Sequence, residues 1–380
     1  MKTLFISNSY LKGNSGGIYA TRAYINAFAD VSESMTLLYP MKDGAEPEGI
    51  VGDNISYVPV WDNRSSIRKF VDLLLGITNR FQNRVDKLVN LEDFNTVVFN
   101  NSDSSSGLIR KMKDRGLKCI TIHHNYQIEY LKGDCTPLLL PIELFWTRIY
   151  ERDAVRYSDL NLTLTQDDIV KLTQHYGGNN FNVLGVFENK PIVGNLKDYT
   201  PRNHNYIITG WLGSKQTNDS LVRWINRYYP ILMQEDPLAK LTIAGRDPQN
   251  ELLFLAEKNH IIIIPSPADM QPLLDQSDYY ICPTDCGGGL KLRNLDGLKS
   301  GMPVLTHEVS ARGYKYMQDI GILFSYNSEE TFRAGMKRML CCRKSRRDII
   351  YEYRNFYSLD VGIKRLKQIL CQSQIMQKCN

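Results

Sequence analysis

Short apolar, β-branched runs alternate with longer segments of helical periodicity almost from one end of the chain to the other, the pattern of parallel sheets built from βαβ units. In the first half the runs predict strands at 3–7, 36–39, 55–60, 97–100, 119–123 and 160–164, with helical spacing over 18–29, 67–88, 108–113, 142–157 and 169–176. From Glu188 to Asn205 the periodicity dissolves into ENKPIVGNLKDYTPRNHN, with two prolines, as an interdomain linker does. The rhythm then restarts, with strands expected at 206–209, 241–244, 261–265, 279–283 and 304–306 and helices at 220–233, 251–257, 270–275 and 292–300. A basic helical stretch runs from 345 to about 372. The expected organisation is a Rossmann-like domain over 1–187, a linker at 188–205, a second Rossmann-like domain over 206–344, and a helical segment at 345–380 able to cross back to the first domain.

Composition agrees with two domains: 380 residues are too many for one ordinary domain, and 43% hydrophobic residues supply two cores. The net charge of +5 is mild; it suits an anionic ligand or a membrane surface and does not describe a dedicated nucleic-acid binder. Eight cysteines, at 119, 135, 282, 286, 341, 342, 371 and 379, form no C-x-x-C pair and read as reduced thiols. No segment approaches the roughly 18 uninterrupted apolar residues of a spanning helix. The opening MKTLFISNSY turns polar at Ser7, as a first strand does and a signal peptide does not. The expectation is a cytoplasmic protein, at most attached to the inner face of the plasma membrane.

In open α/β sheets ligands bind beyond the carboxyl ends of the strands. Three loops placed there are glycine-rich. Asn14-Ser15-Gly16-Gly17 follows the first strand, where free amides can hold an anion or a sugar hydroxyl, although a plain tight turn accounts for it equally well. Thr209-Gly210-Trp211-Leu212-Gly213-Ser214-Lys215 follows the first strand of the second half and sets Lys215 at a helix start. Gly287-Gly288-Gly289-Leu290-Lys291 joins an apolar run to a helix; its bare amides, the helix dipole, Lys291 and Arg293 together attract negative charge. Asp296 lies just under one turn beyond Arg293, placed to accept hydrogen bonds from a diol such as ribose or simply to compensate helix-start charge. In the first half, strand 119–123 ends in His123-His124-Asn125, and strand geometry sends the two histidines to opposite faces.

At these residues the chain resembles the retaining GT-B glycosyltransferases of the large nucleotide-sugar-dependent group, family 4-like, of the capsule, O-antigen and mannosyl transferase type with a triple-glycine loop. LTIAGRDP, IIIIPSPADMQPLLDQSDYYICPTDCGGGLKLRNLDGLKSGMPV and VSARGY follow that group's order and spacing over 206–325, and QTNDSLVRWINRYYPIL is similar to the segment after its first strand. GGIYATRAYINAF, TIHHNYQIEY and ERDAVRYSDLNLTLTQDDIVKLTQHYG agree more loosely. The resemblance implies two Rossmann-like parallel-sheet domains facing each other across a cleft. It implies Lys215 as the diphosphate lysine and Asp296 in place of the ribose glutamate. Gly288 stands where the group has its other acid, so the amides of Gly287 to Leu290 would hold the donor sugar. Trp211 replaces a diphosphate arginine, leaving Arg246 or Lys291 to compensate. His124 is the implied cleft-facing histidine near the reacting sugar, with His123 as the fallback.

The function implied is sugar transfer from a nucleotide diphosphate to a glycan or polyprenyl-linked acceptor in surface polysaccharide synthesis. His124, Lys215 and Lys291 would be catalytic, and Gly16, Gly17, Gly210, Arg246, Gly287, Gly288, Gly289, Leu290, Arg293 and Asp296 would bind the donor. No Asp-x-Asp sequence occurs, so no metal is expected, and no cofactor beyond the nucleotide sugar. The basic amphipathic segment 67–88 can dock on anionic lipid or pack as an ordinary core-facing helix. Two rival readings are a nucleotide-sugar epimerase, which would want a cleft carboxylate that Gly288 removes, and a degraded transferase that binds without turnover.

Overall fold

The computed structural model describes residues 1–13, 16–42, 44, 47–134, 138–188 and 203–376. The chain divides into two units, Met1–Asn189 with Tyr357–Asn380, and Lys190–Phe356. Most of the expected linker, residues 189–202, lies outside the described residues, as do Asn14, Ser15, Cys135 and Cys379.

The first unit is built on strands β1 (Lys2–Ser7), β2 (Ser34–Met41), β3 (Ile55–Trp61), β4 (Thr96–Asn100), β5 (Lys118–His123), β6 (Leu160–Thr163) and β7 (Phe181–Val183). They pair in the order β3-β2-β1-β4-β5-β6-β7, all parallel. The central strands are buried almost end to end, with apolar runs Leu4–Ile6 in β1 and Val97–Phe99 in β4, because helices cover both faces. Edge strand β7 has only three residues, too few for periodicity to reveal.

Strands β8 (Asn205–Trp211), β9 (Lys240–Arg246), β10 (Ile262–Pro265), β11 (Tyr279–Cys282), β12 (Val304–His307) and β13 (Leu323–Tyr326) form the second sheet, in the order β10-β9-β8-β11-β12-β13 and again parallel. Strand order reverses between β1 and β4 in one sheet and between β8 and β11 in the other. These switch points leave a crevice at the carboxyl ends of the strands.

Three helices depart from expectation. The segment expected as one helix over 67–88 is a helix Ser66–Leu74, a turn region, and a single turn Val85–Leu88. The break falls at Gly76, in the left-handed region at φ 71°, where a Cβ would stand 2.5 Å from the Trp146 ring. Helix 220–233 is instead Lys215–Arg227 followed by Tyr229–Glu235, because Ser214 caps the first through Thr217 N and Pro230 at the start of the second cannot continue a preceding helix. The basic C-terminal stretch is split at Ser358 into Arg346–Tyr357 and Leu359–Gln372. The second of these packs on the helix Gly16–Asp30 of the first unit, where Lys367 pairs with Asp30 at 2.8 Å and Arg365 donates to the Leu184 carbonyl at 2.7 Å.

Candidate functional site

The second unit gathers most of the candidate residues at the carboxyl ends of β8 and β11. Pro283 to Leu292 form the loop between β11 and the helix Arg293–Lys299. Glycine is needed at 287, where φ is 84° and a Cβ would stand 2.0 Å from Gln216 Nε2. Gln216 Nε2 donates to the Cys286 carbonyl at 2.7 Å, so the loop lies against the N-terminus of the helix that Lys215 opens. Amide groups and a helix N-terminus brought together in this way attract an anion.

A second tether was not evident from sequence. Asp285 accepts from Ser220 Oγ at 2.8 Å and from Arg223 Nε at 2.7 Å. Burial would raise the Asp285 carboxyl, but these hydrogen bonds and the guanidinium charge hold it below the usual range. From the other side Ser310 Oγ donates to the Thr284 carbonyl at 2.6 Å, and Tyr314 OH donates to the Lys291 carbonyl at 2.9 Å. The VSARGY segment thus props the glycine loop, and only the fold could reveal that role.

The cations each have a partner within the unit. Lys291 is half-buried, its ammonium donating to the Gly288 carbonyl at 3.2 Å, and burial lowers its pKa. Arg293 lies against Gly210 and donates through Nη2 to Thr217 Oγ1 at 2.9 Å. Lys215, with 88% of its side chain exposed, pairs with Asp219 one turn on at 2.6 Å. Asp296 pairs with Lys299 at 2.7 Å. At the end of β9 the Arg246 guanidinium stacks over the exposed Trp211 ring at 4.7 Å, and Trp211 Nε1 donates to Asp247 Oδ2 at 3.0 Å. Trp211 therefore helps to hold the Arg246 guanidinium in place.

In the first unit His123 and His124 diverge. His123 is fully buried with Nε2 2.9 Å from Asn161 Oδ1. His124 is partly exposed, Nε2 2.9 Å from Asn100 Oδ1, its ring edge-on to Tyr24 at 5.6 Å. Burial lowers both to about 4, with His123 adding to the effect on His124, so both imidazoles are neutral at pH 7. Gly16 opens the helix Gly16–Asp30, and Gly17 has open space where a side chain would project.

Comparison with known proteins gives the arrangement a context. The family described as "Glycosyl transferases group 1" matches residues 206–341. An uncharacterized 44.6 kDa protein from the cps region of Klebsiella pneumoniae is 24% identical over 203 residues, 50% of this chain. The chain spans about half, 51%, of that relative's length. The structure of TarM from S. aureus aligns over 97% of this chain and 98% of its own with a TM-score of 0.69 at 9% identity. HepE of Anabaena, solved in complex with UDP, aligns over 98% and 100% with a TM-score of 0.62 at 13% identity. Residues 206–341 therefore carry the group 1 glycosyl transferase pattern, and the two parallel sheets have the GT-B glycosyltransferase fold.

Proposed function

We propose that this protein transfers a sugar from a nucleotide-diphosphate donor to a hydroxyl of a glycan or lipid-linked oligosaccharide in surface polysaccharide synthesis. The observation that carries the reading is the triple-glycine loop, tethered through Gln216 and Asp285 to the helix opened by Lys215, with Lys291 folded beneath it. A diphosphate seated on those amides takes the place of the internal contacts of Lys215 and Lys291. The UDP bound to HepE and the cps-region location of the Klebsiella relative support the donor class and the pathway.

In this reading charge builds on the departing diphosphate as the sugar acquires oxocarbenium character, and Lys215, Lys291 and the loop amides stabilise it. Asp296 leaves Lys299 to meet the ribose. The amides of Gly287 to Leu290 hold the sugar, Arg293 and Gly210 border it, and Arg246 carries a positive charge beside Trp211. In the first unit His124 offers a neutral hydrogen-bonding ring, and Gly16 and Gly17 offer free amides. We assign retention of configuration, no metal and no further cofactor, and a cytoplasmic protein that touches the inner membrane face through the helix Ser66–Leu74. Full transfer in EDTA is the expected result, and activity that EDTA abolishes and Mg2+ restores would overturn the metal-free assignment.

Thermal shift against UDP, GDP, ADP and their sugar conjugates tests the donor site, because a ligand of the folded state raises its stability. One base should raise Tm, and Lys215→Ala and Asp296→Ala should each reduce the shift. No shift with any nucleotide would sink the donor site and favour a degraded transferase.

A further inference from the structure

Strand β10 is an edge of the second sheet, and the helix Asn250–Lys258 that leads into it packs on β10 and on the helix Lys215–Arg227. The helix turns Leu252 and Ala256 inward, onto the core of the second unit. Its outer side is not the polar face expected of a surface helix. Phe254 stands there 70% exposed, with Leu253 exposed next to it and Ile262 of β10 54% exposed at the sheet edge. An aromatic ring left in water carries a cost in free energy that a partner surface recovers.

The charges on that side are arranged around the ring. Glu251, Phe254 and Lys258 follow the spacing i, i+3, i+7, so they form one exposed stripe with an acid in the first turn, the ring in the middle and a base in the last turn. Seven residues of helix span about 10.5 Å, too far for Glu251 and Lys258 to pair with each other. Among the described residues neither has an ion-pair partner elsewhere in the chain. In the same unit Lys215–Asp219 and Lys315–Asp319 close within their own helices, one turn apart. A second helix of the same sequence, laid antiparallel, complements the stripe along its length. A two-fold axis between residues 254 and 255 sets Glu251 of each copy against Lys258 of the other, with the two rings at the centre.

We propose that this stripe is the interface of a homodimer in which the two Asn250–Lys258 helices pack antiparallel across a two-fold axis. Burial of the two Phe254 rings supplies the attraction. The two Glu251–Lys258 pairs fix the direction, because a parallel arrangement sets Glu251 against Glu251 and Lys258 against Lys258. The inference goes beyond the transferase reading and does not depend on it.

Sedimentation velocity of the whole chain over a wide concentration range tests this, and a reversible monomer–dimer equilibrium is expected. Phe254→Asp should weaken the dimer more than about thirtyfold, as loss of an anchor residue at the centre of an interface does. Its circular-dichroism melt should match that of the native protein at a concentration where both are monomeric, which separates lost association from a lost fold. Glu251→Lys and Lys258→Glu should each weaken the dimer roughly tenfold, since each reversal acts twice across the axis. The double reversal should restore it to within about threefold of the native protein, the sign of a direct coupling. Both helix ends are then charged against the dipole, so the recovery cannot come from a better helix. A monomer at every concentration, a dimer that Phe254→Asp leaves intact, or a double reversal no tighter than the single ones overturns the proposal. So does a monomer whose co-sedimentation with lipid vesicles is lost in Phe254→Asp, a result that assigns the stripe to a membrane instead.

Discussion

Glu151 shows what burial does to one side chain. It is fully buried on the helix Leu140–Tyr157, Oε1 accepting from Gln127 N at 2.9 Å and Oε2 from Tyr176 OH at 3.1 Å. Burial pushes its carboxyl up to about 8 against those two hydrogen bonds, and nearby Asp168 adds to the rise. The folded state therefore binds this proton more tightly than the unfolded chain, whose glutamate titrates near 4.3. Its contribution to stability is complete below that value and is lost as pH rises through about 8. Between pH 5 and 8 the Tm of the native protein should fall relative to that of Glu151→Gln, measured by calorimetry at matched ionic strength. Parallel Tm curves would contradict this.

Asp285 is a residue-scale case with a functional consequence. Its carboxylate ties the glycine loop to Ser220 and Arg223. Asp285→Ala should loosen the loop and weaken nucleotide binding by roughly tenfold, the scale of one charge-assisted hydrogen bond. Because the Arg223 pair is partly exposed, Tm without ligand should change little. An unchanged nucleotide affinity would show that the tether does not shape the site. Neither Glu151 nor Asp285 stood out in the sequence, since each acts through partners more than twenty residues away, Gln127 and Ser220.

At the scale of elements, most strands were legible because a strand covered on both faces carries an unbroken apolar run, as β1, β4 and β11 do. Segment 67–88 was read as one amphipathic helix because its spacing suits one. Periodicity reports which face is apolar but not whether that face points inward. Here Asp72 faces in and Ile67 faces out. The consequence inverts the usual rule for core helices: Ile67→Asp and Leu75→Asp should leave stability within about 0.5 kcal/mol, as exposed substitutions do. Asp72→Ala, which removes the buried carboxylate shared by Arg64 and Arg68, should destabilise by about 1–3 kcal/mol. The same two aspartates on the apolar face should reduce co-sedimentation with anionic lipid vesicles. Vesicle binding insensitive to them would remove the membrane role of this helix.

For the whole molecule, the helix Leu359–Gln372 belongs with the first unit although it follows the second in sequence. It places Gly362 against Phe187 and Arg365 on the Leu184 carbonyl. Ending the chain at residue 358 should lower the unfolding temperature of the first unit while leaving the nucleotide-induced stabilisation of the second intact, seen as two separable transitions in calorimetry. Loss of the nucleotide response in that variant would contradict a donor site housed in residues 203–356.

Alternation of apolar runs with helical periods was enough to determine two parallel α/β sheets, and the glycine loop with Lys291 was enough to point to anion chemistry, because both signals are local in the chain. Tertiary structure alone decided that Asp285 and Ser310 brace that loop, that Lys291 folds onto Gly288, and that His123 is buried while His124 is partly exposed. Those outcomes depend on desolvation and on partners tens of residues distant. Neither quantity is carried by the order of residues within any one segment.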